Sequence, residues 1–454
     1  MPSTHDMTSG SPTRSILRFA LPLIGGYILQ QMYLVIDAAI VGRFVGVGAL
    51  AGVGASSSVM FLIMGFCNGT GAGFAIPVAQ AFGAKDYVLM RQYVANAARL
   101  SALIAATVTA VTCVLCSWIL TVINTPHDIF RDAYTFLILQ FAAIPFTFAY
   151  NFLSALIRAL GNSKQPFFFL IFSSIVNIVL DVIFIIVMGM GVEGVGVATL
   201  VSQGVSACLC LLYIRKRLWL LIPHGDERRH DGRKAVALLG NGLPMGLQFS
   251  ITAVGSIMLQ SANNALGTTC VAAFTTAMRV KYLFTCVFEN IGVAMATYCG
   301  QNIGARRIGR VGMGIRSALT ASAAICVADA AVIWPFAEEM MTPFVDGTRT
   351  DIVTGAALFM RVACVFYPAL AVLTVLRYSI QGLGYSNLSM MSGVMEMVAR
   401  CGVSLYIVPA WGFHGVCCGD PMAWIAADLF LVPAMLWLYA HLRHKLAAPH
   451  GRGA

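Results

Sequence analysis

The stretch SSIVNIVLDVIFIIV, residues 173–187, is apolar after its two leading serines except for Asn177 and Asp181. Four residues apart on a helix, the amide and the acid project from one face. A carboxylate in such surroundings is costly unless it is neutralised, paired or used. The chemistry on offer is therefore that of an acceptor: holding a proton, binding a cation, or hydrogen-bonding a neighbouring helix. Glu396 and Arg400 repeat the one-turn spacing later in the chain, where the two charges can neutralise each other as a structural pair. Asp420 stands beside Pro421, which frees a backbone group next to it. Glu289 shares a long apolar segment with Arg279 and Lys281, either as one arm of a buried pair or as a contact for a cation. Asp329 and Asp428 are further acids in apolar segments with no assigned role.

The elements that carry these residues follow from composition. Of 454 residues, 59% are hydrophobic and 11% charged, against roughly a quarter charged in soluble domains. Apolar segments of about 20 residues, the length that spans a bilayer, recur twelve times: 16–42, 50–82, 92–122, 131–158, 166–188, 194–217, 235–265, 270–303, 311–336, 350–382, 388–408 and 413–441. The expected fold class is an all-α integral membrane protein of twelve transmembrane helices. The longest polar connection, RKRLWLLIPHGDERRHDGRK at 215–234, is too short to fold alone and reads as a linker. The leading MPSTHDMTSGSPT has neither the basic start nor the cleavable apolar core of a secretory signal.

Basic residues orient the helices. With both termini cytoplasmic, the inside receives Arg14, Arg18, Lys85, Arg91, Arg158, Lys164, the cluster from Arg215 to Lys234, Arg306, Arg307, Arg310, Arg443, Lys445 and Arg452. The outside receives Arg43, Arg131 and Arg349, as the positive-inside rule demands. The net charge of +10 thus reports orientation and contact with the lipid bilayer. No basic face interleaved with aromatics supports a nucleic-acid partner.

Enzymatic motifs fail on context. The CVLC at 113–116 lies in an apolar helix with no second pair nearby, so the 13 cysteines read as small buried hydrophobes. GMGVEG at 189–194 has the letters of a dinucleotide loop but occupies a tight turn between two spans. No phosphate-binding Gly-Lys loop and no zinc-protease helix occurs, so neither an enzyme nor a cofactor is expected.

An internal repeat organises the chain. FALPLIGGYILQQ (19–31) is answered by NGLPMGLQFSITA (241–253), VAQAFGAKD (78–86) by CGQNIGARR (299–307), IRALGNSKQ (157–165) by IQGLGYSNL (380–388), and GVEGVGVAT (191–199) by GFHGVCCGD (412–420). Offsets of 221 to 223 residues imply two six-helix lobes in the same orientation, related by a pseudo-twofold axis along the membrane normal. The expected division is a first lobe at 1–217, a cytoplasmic linker at 218–234, a second lobe at 235–442 and a cytoplasmic tail at 443–454. Transporters built on parallel repeats hold their substrate between the halves.

The Leu-Pro starts, VIDAAIVGR at 35–43, the doubled Gln-x-x-Gly-Ala at 80–84 and 301–305, RALGNSKQP at 158–166 and the Asn-x-x-x-Asp of the fifth helix together resemble the multidrug and toxic compound extrusion (MATE) family over the whole chain. The resemblance implies a monomeric antiporter of the bacterial inner membrane that exports organic, often cationic and aromatic compounds in exchange for inward protons or sodium ions. The chain looks like the DinF-like branch, whose first-lobe coupling site falls on Asp37, Asn177, Asp181 and Thr199. The glutamate that the NorM-like branch carries eight residues after the second Leu-Pro is Thr252 here, so a second-lobe sodium site of that type is not expected. Spacing agrees: at 1.5 Å per residue Asp37 lies about 30 Å along the first helix, Asp181 about 22 Å along the fifth and Thr199 about 8 Å below the outer start of the sixth, all in the outer half. The bland alternatives are an Asp37–Arg43 interface pair and a structural hydrogen bond made by Asn177 or Asp181.

Carboxylates with an amide and a hydroxyl supply oxygen ligands for sodium as readily as they share a proton. A flippase for lipid-linked oligosaccharides or other amphiphiles is the alternative function. It calls for a cationic groove formed by Arg279, Lys281, Arg361, Arg377 and Arg400, whereas a carboxylate-lined cavity favours the antiporter.

Overall fold

The computed structural model describes residues 4–123, 125–126, 129–345 and 349–447. Of the expected cytoplasmic tail, the part after Ala447, with Arg452, lies outside the described residues. Among the described residues there is no strand. Among the same described residues, eleven helices are long and apolar enough to cross a membrane, and a bent pair supplies a twelfth span. The first half runs through α1 (Pro12–Ile40), α2 (Val47–Gly83), α3 (Tyr87–Val122), α4 (Phe130–Ala159), α5 (Lys164–Asp181) and α6 (Val192–Arg217). The second runs through α7 (Gly232–Asn264), α8 (Thr268–Gly304), α9 (Ile308–Phe336), α10 (Thr350–Val365), α11 (Tyr367–Gly382), α12 (Ser386–Gly402), the short α13 (Val408–Trp411) and α14 (Phe413–Cys417), and α15 (Gly419–Ala447).

The tenth span, expected as one helix at 350–382, is broken. α10 and α11 meet at 55°, because Pro368 has no N–H to give and its ring crowds the preceding turn. Phe366 closes the end of α10 with a short bond from its N–H to Ala363 O at 3.0 Å. Three helices also pass into widened π-helical turns, at Val41–Val45, Val182–Val187 and Val403–Ile407. Their N–H groups reach five residues back, as Gly46 does to Val41 O at 3.1 Å and Met188 to Ile183 O at 2.9 Å. Such turns often mark functional positions, and one of them follows Asp181 directly.

The chain forms two compact units, but their borders differ from the expected lobes. Residues up to Asp6 join Leu21–Gly246, and Met7–Ala20 join the residues from Leu247 on. The first helix of each half is thus divided close to its Leu-Pro, Pro22 in α1 and Pro244 in α7.

Within the first unit, α4 packs on α2, α3 and α6, and α5 packs on α6, around Phe74, Phe141 and Phe148. The start of α7 lies backbone to backbone against α2. A Cβ on Gly73 would stand 2.6 Å from Gly242 Cα, and one on Gly69 would stand 2.5 Å from Met245 O. Small residues four apart on both helices, Gly69 and Gly73 facing Gly242 and Gly246, permit this approach. The linker is docked on α3: Arg91 forks onto Glu227 at 2.7 and 2.6 Å, and Asn96 Oδ1 accepts from Asp231 N at 3.1 Å. The guanidinium's hydrogen bonds hold the Glu227 carboxyl down at about 2. Gly161 closes the turn after α4 with φ +82°, and any Cβ there would strike His5 O, which is why RALGNSKQP carries glycine at that point.

In the second unit the repeated Gln-x-x-Gly-Ala motif anchors the leading segment. Met7 N donates to Gln301 Oε1 at 2.9 Å, Asn302 Nδ2 to Met7 O at 3.2 Å, Arg307 to Thr8 O at 2.7 Å and Arg310 to Gly10 O at 3.0 Å. These bonds, with Met7 fully buried, are the reason Met7–Ala20 belongs to this unit. Here α8 packs on α9, α10 and α11, and α15 packs on α11 and α12.

Candidate functional site

In the first unit, α1, α5 and α6 bring Asp37, Asn177, Asp181 and Thr199 to one place. Asp181 is fully buried and Asn177 is 2% exposed, although both lie on a lipid-embedded helix. Asp37 is half-buried and within interaction range of Asp181. Tyr33, one turn before Asp37 on α1, meets the Thr199 hydroxyl with both carboxyls nearby. Two one-turn pairs, Tyr33 with Asp37 and Asn177 with Asp181, therefore face each other.

The hydrogen bonds around them leave acceptors without donors. Asn177 Nδ2 donates to Ser202 Oγ at 3.2 Å, Ser202 Oγ to Thr199 O at 2.9 Å, and Thr199 Oγ1 to Val195 O at 3.0 Å. The hydroxyl hydrogens of Thr199 and Ser202 are thus committed to the backbone of α6. Asp37 Oδ1, Asn177 Oδ1 and both oxygens of Asp181 are buried and receive no hydrogen bond. Two ionised carboxyls cannot bond each other; a proton or a cation between them can bridge both. The bland alternatives fare differently. Arg43 lies 5.9 Å over the Phe44 ring, and no ion pair joins it to Asp37 among the described residues. Asn177 does make an interhelical bond, but only with its amide nitrogen.

The second unit carries a longer buried array. Lys281 of α8 bonds Asp420 of α15; Arg400 of α12 reaches Asp420 at 3.1 and 3.2 Å and Glu396 at 3.3 Å; Glu396 in turn bonds Arg377 of α11, whose Nε donates to Ser392 Oγ at 3.1 Å. Glu396 and Arg400 are therefore two members of a five-residue ladder, and Asp420 is held by two cations. Glu289 is not paired with Lys281 or Arg279: it accepts the Tyr378 hydroxyl at 3.1 Å. Arg279 lines a cleft of about 480 Å³ at the α7–α8 turn with Asn264, Thr268, Thr276 and Phe344.

The groove that a flippase calls for does not form from these cations. Lys281, Arg377 and Arg400 converge, but Asp420 and Glu396 stand between them, and Arg361 sits 3.5 Å from Glu338. Sequence reasoning missed Tyr33, although its one-turn spacing from Asp37 is the same signal that exposed Asn177. It also missed the ladder's length, since the partner of Lys281 lies 139 residues away.

Comparison with known proteins agrees with this architecture. The MatE family profile matches twice, at residues 22–183 and 244–405, one copy in each half. The chain is 29% identical over 380 residues, 84% of either chain, to the "Probable multidrug resistance protein YpnP" of Bacillus subtilis (strain 168). Among solved structures it superposes with TM-score 0.90 on a MATE protein in complex with MaL6, at 21% identity over 97% of this chain and 99% of that one. With TM-score 0.89 and 22% identity, over 96% and 98%, it matches the outward-facing conformation of a multidrug resistance MATE family transporter of the MOP superfamily. With the family's pattern present once in each half and its fold traced over nearly the full length, the chain belongs to the MatE family of multi-pass membrane transporters.

Proposed function

We propose that this transporter is a secondary active antiporter that exports organic, often cationic and aromatic small molecules in exchange for inward protons or sodium ions. Asp37, Asn177, Asp181 and Thr199 form its coupling site, with Tyr33 as a positioning residue. One observation carries the reading: four buried acceptor oxygens on Asp37, Asn177 and Asp181 receive no hydrogen bond. Buried oxygens without donors are rare in stable structure and suit a site that takes up a positive ion and gives it back. The relative named as a multidrug resistance protein supports a small-molecule cargo. The transporter is placed as a monomer in the bacterial inner membrane, and the distribution of Lys and Arg supports both termini being cytoplasmic.

The test is transport in proteoliposomes against a panel of organic cations, under an imposed proton gradient or an imposed sodium gradient. Wild-type protein is expected to drive uphill movement with one of the two ions. Asp37→Asn and Asp181→Asn are expected to insert normally, because losing a buried charge relieves desolvation, and to lose ion-driven accumulation. Both variants transporting at the original rate would refute the assignment.

A further inference from the structure

The cleft at the α7–α8 turn holds a cation with nothing to neutralise it. Arg279 is exposed and lines the cleft, and among the described residues it makes no ion pair and no side-chain hydrogen bond. No carboxylate lines the cleft among those residues. Thr276, 5% exposed, borders it as well. Its hydroxyl makes no hydrogen bond among the described residues, whereas Thr285 and Thr374 of the same unit return theirs to the backbone one turn back, at 3.1 and 3.0 Å. Asn264 accepts from Gln260 Nε2 through its Oδ1 at 2.8 Å, and its own amide N–H groups are uncommitted among the described residues. Thr268 opens α8 directly after Gly267, which has no side chain to cap the helix, so the first-turn N–H groups lie open at the same end.

Thr268, Thr276 and Arg279 stand at i, i+8 and i+11, on one face of α8. The helix has 37 residues and is about 55 Å long, against a hydrocarbon core of about 30 Å. Centred in the bilayer it projects about 12 Å at each end, which puts Thr268 among the headgroups and Arg279 less than a turn inside the hydrocarbon boundary. Side chains on a helix lean towards its N-terminus, so the guanidinium rises to headgroup level. Val271 and Phe344 add apolar surface. At about 480 Å³ the cleft has the size of a small-molecule site rather than of a single ion. One cation, free hydroxyl and amide donors and apolar surface at this depth complement an anionic amphiphile. The ammonium of a zwitterionic headgroup would find no carboxylate there.

We propose that this cleft binds one anionic phospholipid, recognised by a phosphodiester that carries hydroxyls, as in a phosphoglycerol headgroup. Arg279 pairs with the phosphate, Thr276 and Asn264 bond its oxygens and the glycerol hydroxyls, and the acyl chains follow the apolar surface into the leaflet. Basic pockets between membrane helices hold anionic headgroups by the same forces. The site lies wholly in the second unit and stands whether or not the first-unit residues couple transport.

Native mass spectrometry of the delipidated full-length protein in detergent counts bound lipid as phosphatidylglycerol or phosphatidylethanolamine is titrated in. One phosphatidylglycerol is expected to bind roughly tenfold tighter than phosphatidylethanolamine, the worth of one charge-assisted hydrogen bond. Arg279→Gln is expected to abolish that preference and Thr276→Val to weaken it a few-fold. Arg316→Gln, at an exposed arginine of α9 outside the cleft, is expected to keep it. Equimolar glycerol phosphate, the headgroup without its chains, is expected to leave the lipid in place. Equal binding of the two lipids by wild-type protein, an unchanged preference in Arg279→Gln, or the same loss in Arg316→Gln would overturn the proposal. Displacement by glycerol phosphate would overturn it in favour of a soluble phosphate ester. Where Arg279→Gln fails to insert, Thr276→Val carries the test, and an undiminished preference there counts against the site.

Discussion

Glu396 bears two arginines, and that makes its loss informative. Glu396→Gln keeps the volume and one acceptor oxygen but removes the charge. Arg377 then loses the one carboxylate bonded to it among the described residues, whereas Arg400 keeps Asp420 at 3.1 and 3.2 Å. Breaking a buried pair from one side costs about 3–5 kcal/mol. Arg377 Nε keeps its bond to Ser392 Oγ at 3.1 Å, which softens the loss, so the lower end, about 3 kcal/mol, is expected, or roughly a hundredfold in the unfolding equilibrium. Two double variants locate the damage. Glu396→Gln with Arg377→Met removes the orphaned guanidinium and leaves Lys281–Asp420–Arg400 intact, so most of the loss should be recovered, since apolar replacement of a buried pair is close to neutral. Glu396→Gln with Arg400→Met leaves Arg377 unpaired and should recover little. Reversible unfolding of the full chain in mixed micelles measures all four proteins. Equal stability of Glu396→Gln and both doubles, or equal recovery by the two doubles, would refute the ladder as the source of the cost.

Four further outcomes are expected. If Asp37 and Asp181 bind two ions per monovalent cation, one net charge moves inward, adding about 2.3 kcal/mol per 100 mV to about 1.4 kcal/mol per ion and tenfold gradient; clamping the potential with valinomycin and symmetric potassium should then slow uptake, and unchanged uptake would mean the pair counts as one site. Thr199→Ala removes one hydroxyl contact of about 1 kcal/mol, so transport should fall only a few-fold, and complete loss with normal insertion would contradict the role given to it. Gly73→Ala should destabilise by about 1–3 kcal/mol because its Cβ meets Gly242 Cα at 2.6 Å, whereas Gly71→Ala, whose Cβ would meet Phe152 N at 3.4 Å, should be tolerated in the same unfolding assay. The depressed Glu227 carboxyl contributes linker docking that is fully present above the ordinary carboxyl range and lost as pH falls towards about 2; protease sensitivity of the linker should rise over that window, and Glu227→Gln should be sensitive throughout.

The spans are legible in the sequence because the bilayer imposes one rule on every helix, a sufficient apolar length. Departures from that rule are local and harder to read. Pro22, Pro145, Pro244 and Pro433 lie inside continuous helices, but Pro368 sits at a 55° break, so proline alone does not announce a bend. Asn177 and Asp181 stand out because polar groups on an apolar face are conspicuous. That Asp37 joins them, however, came from the family resemblance, since spacing supplies depth along a helix and not the neighbour across it. The unit borders escaped for the same reason. The Leu-Pro starts are visible, but that residues before Pro22 bond Gln301 and Arg307 depends on contacts nearly 300 residues apart in the chain.

That separation matters during synthesis. Met7 docks on Gln301, 294 residues further along the chain, and at about 5–20 residues per second the ribosome delivers Gln301 roughly 15–60 s after Met7. Through that interval the docking site of the leading segment does not yet exist, and only the part of α1 from Leu21 on has its own unit to pack in. The start of α7 has no such wait, because Gly69 and Gly73 are already in the membrane when it emerges. The leading segment is therefore secured long after it is made, and a bulky fusion placed ahead of Met7 would leave insertion untouched while obstructing one of the last steps of maturation.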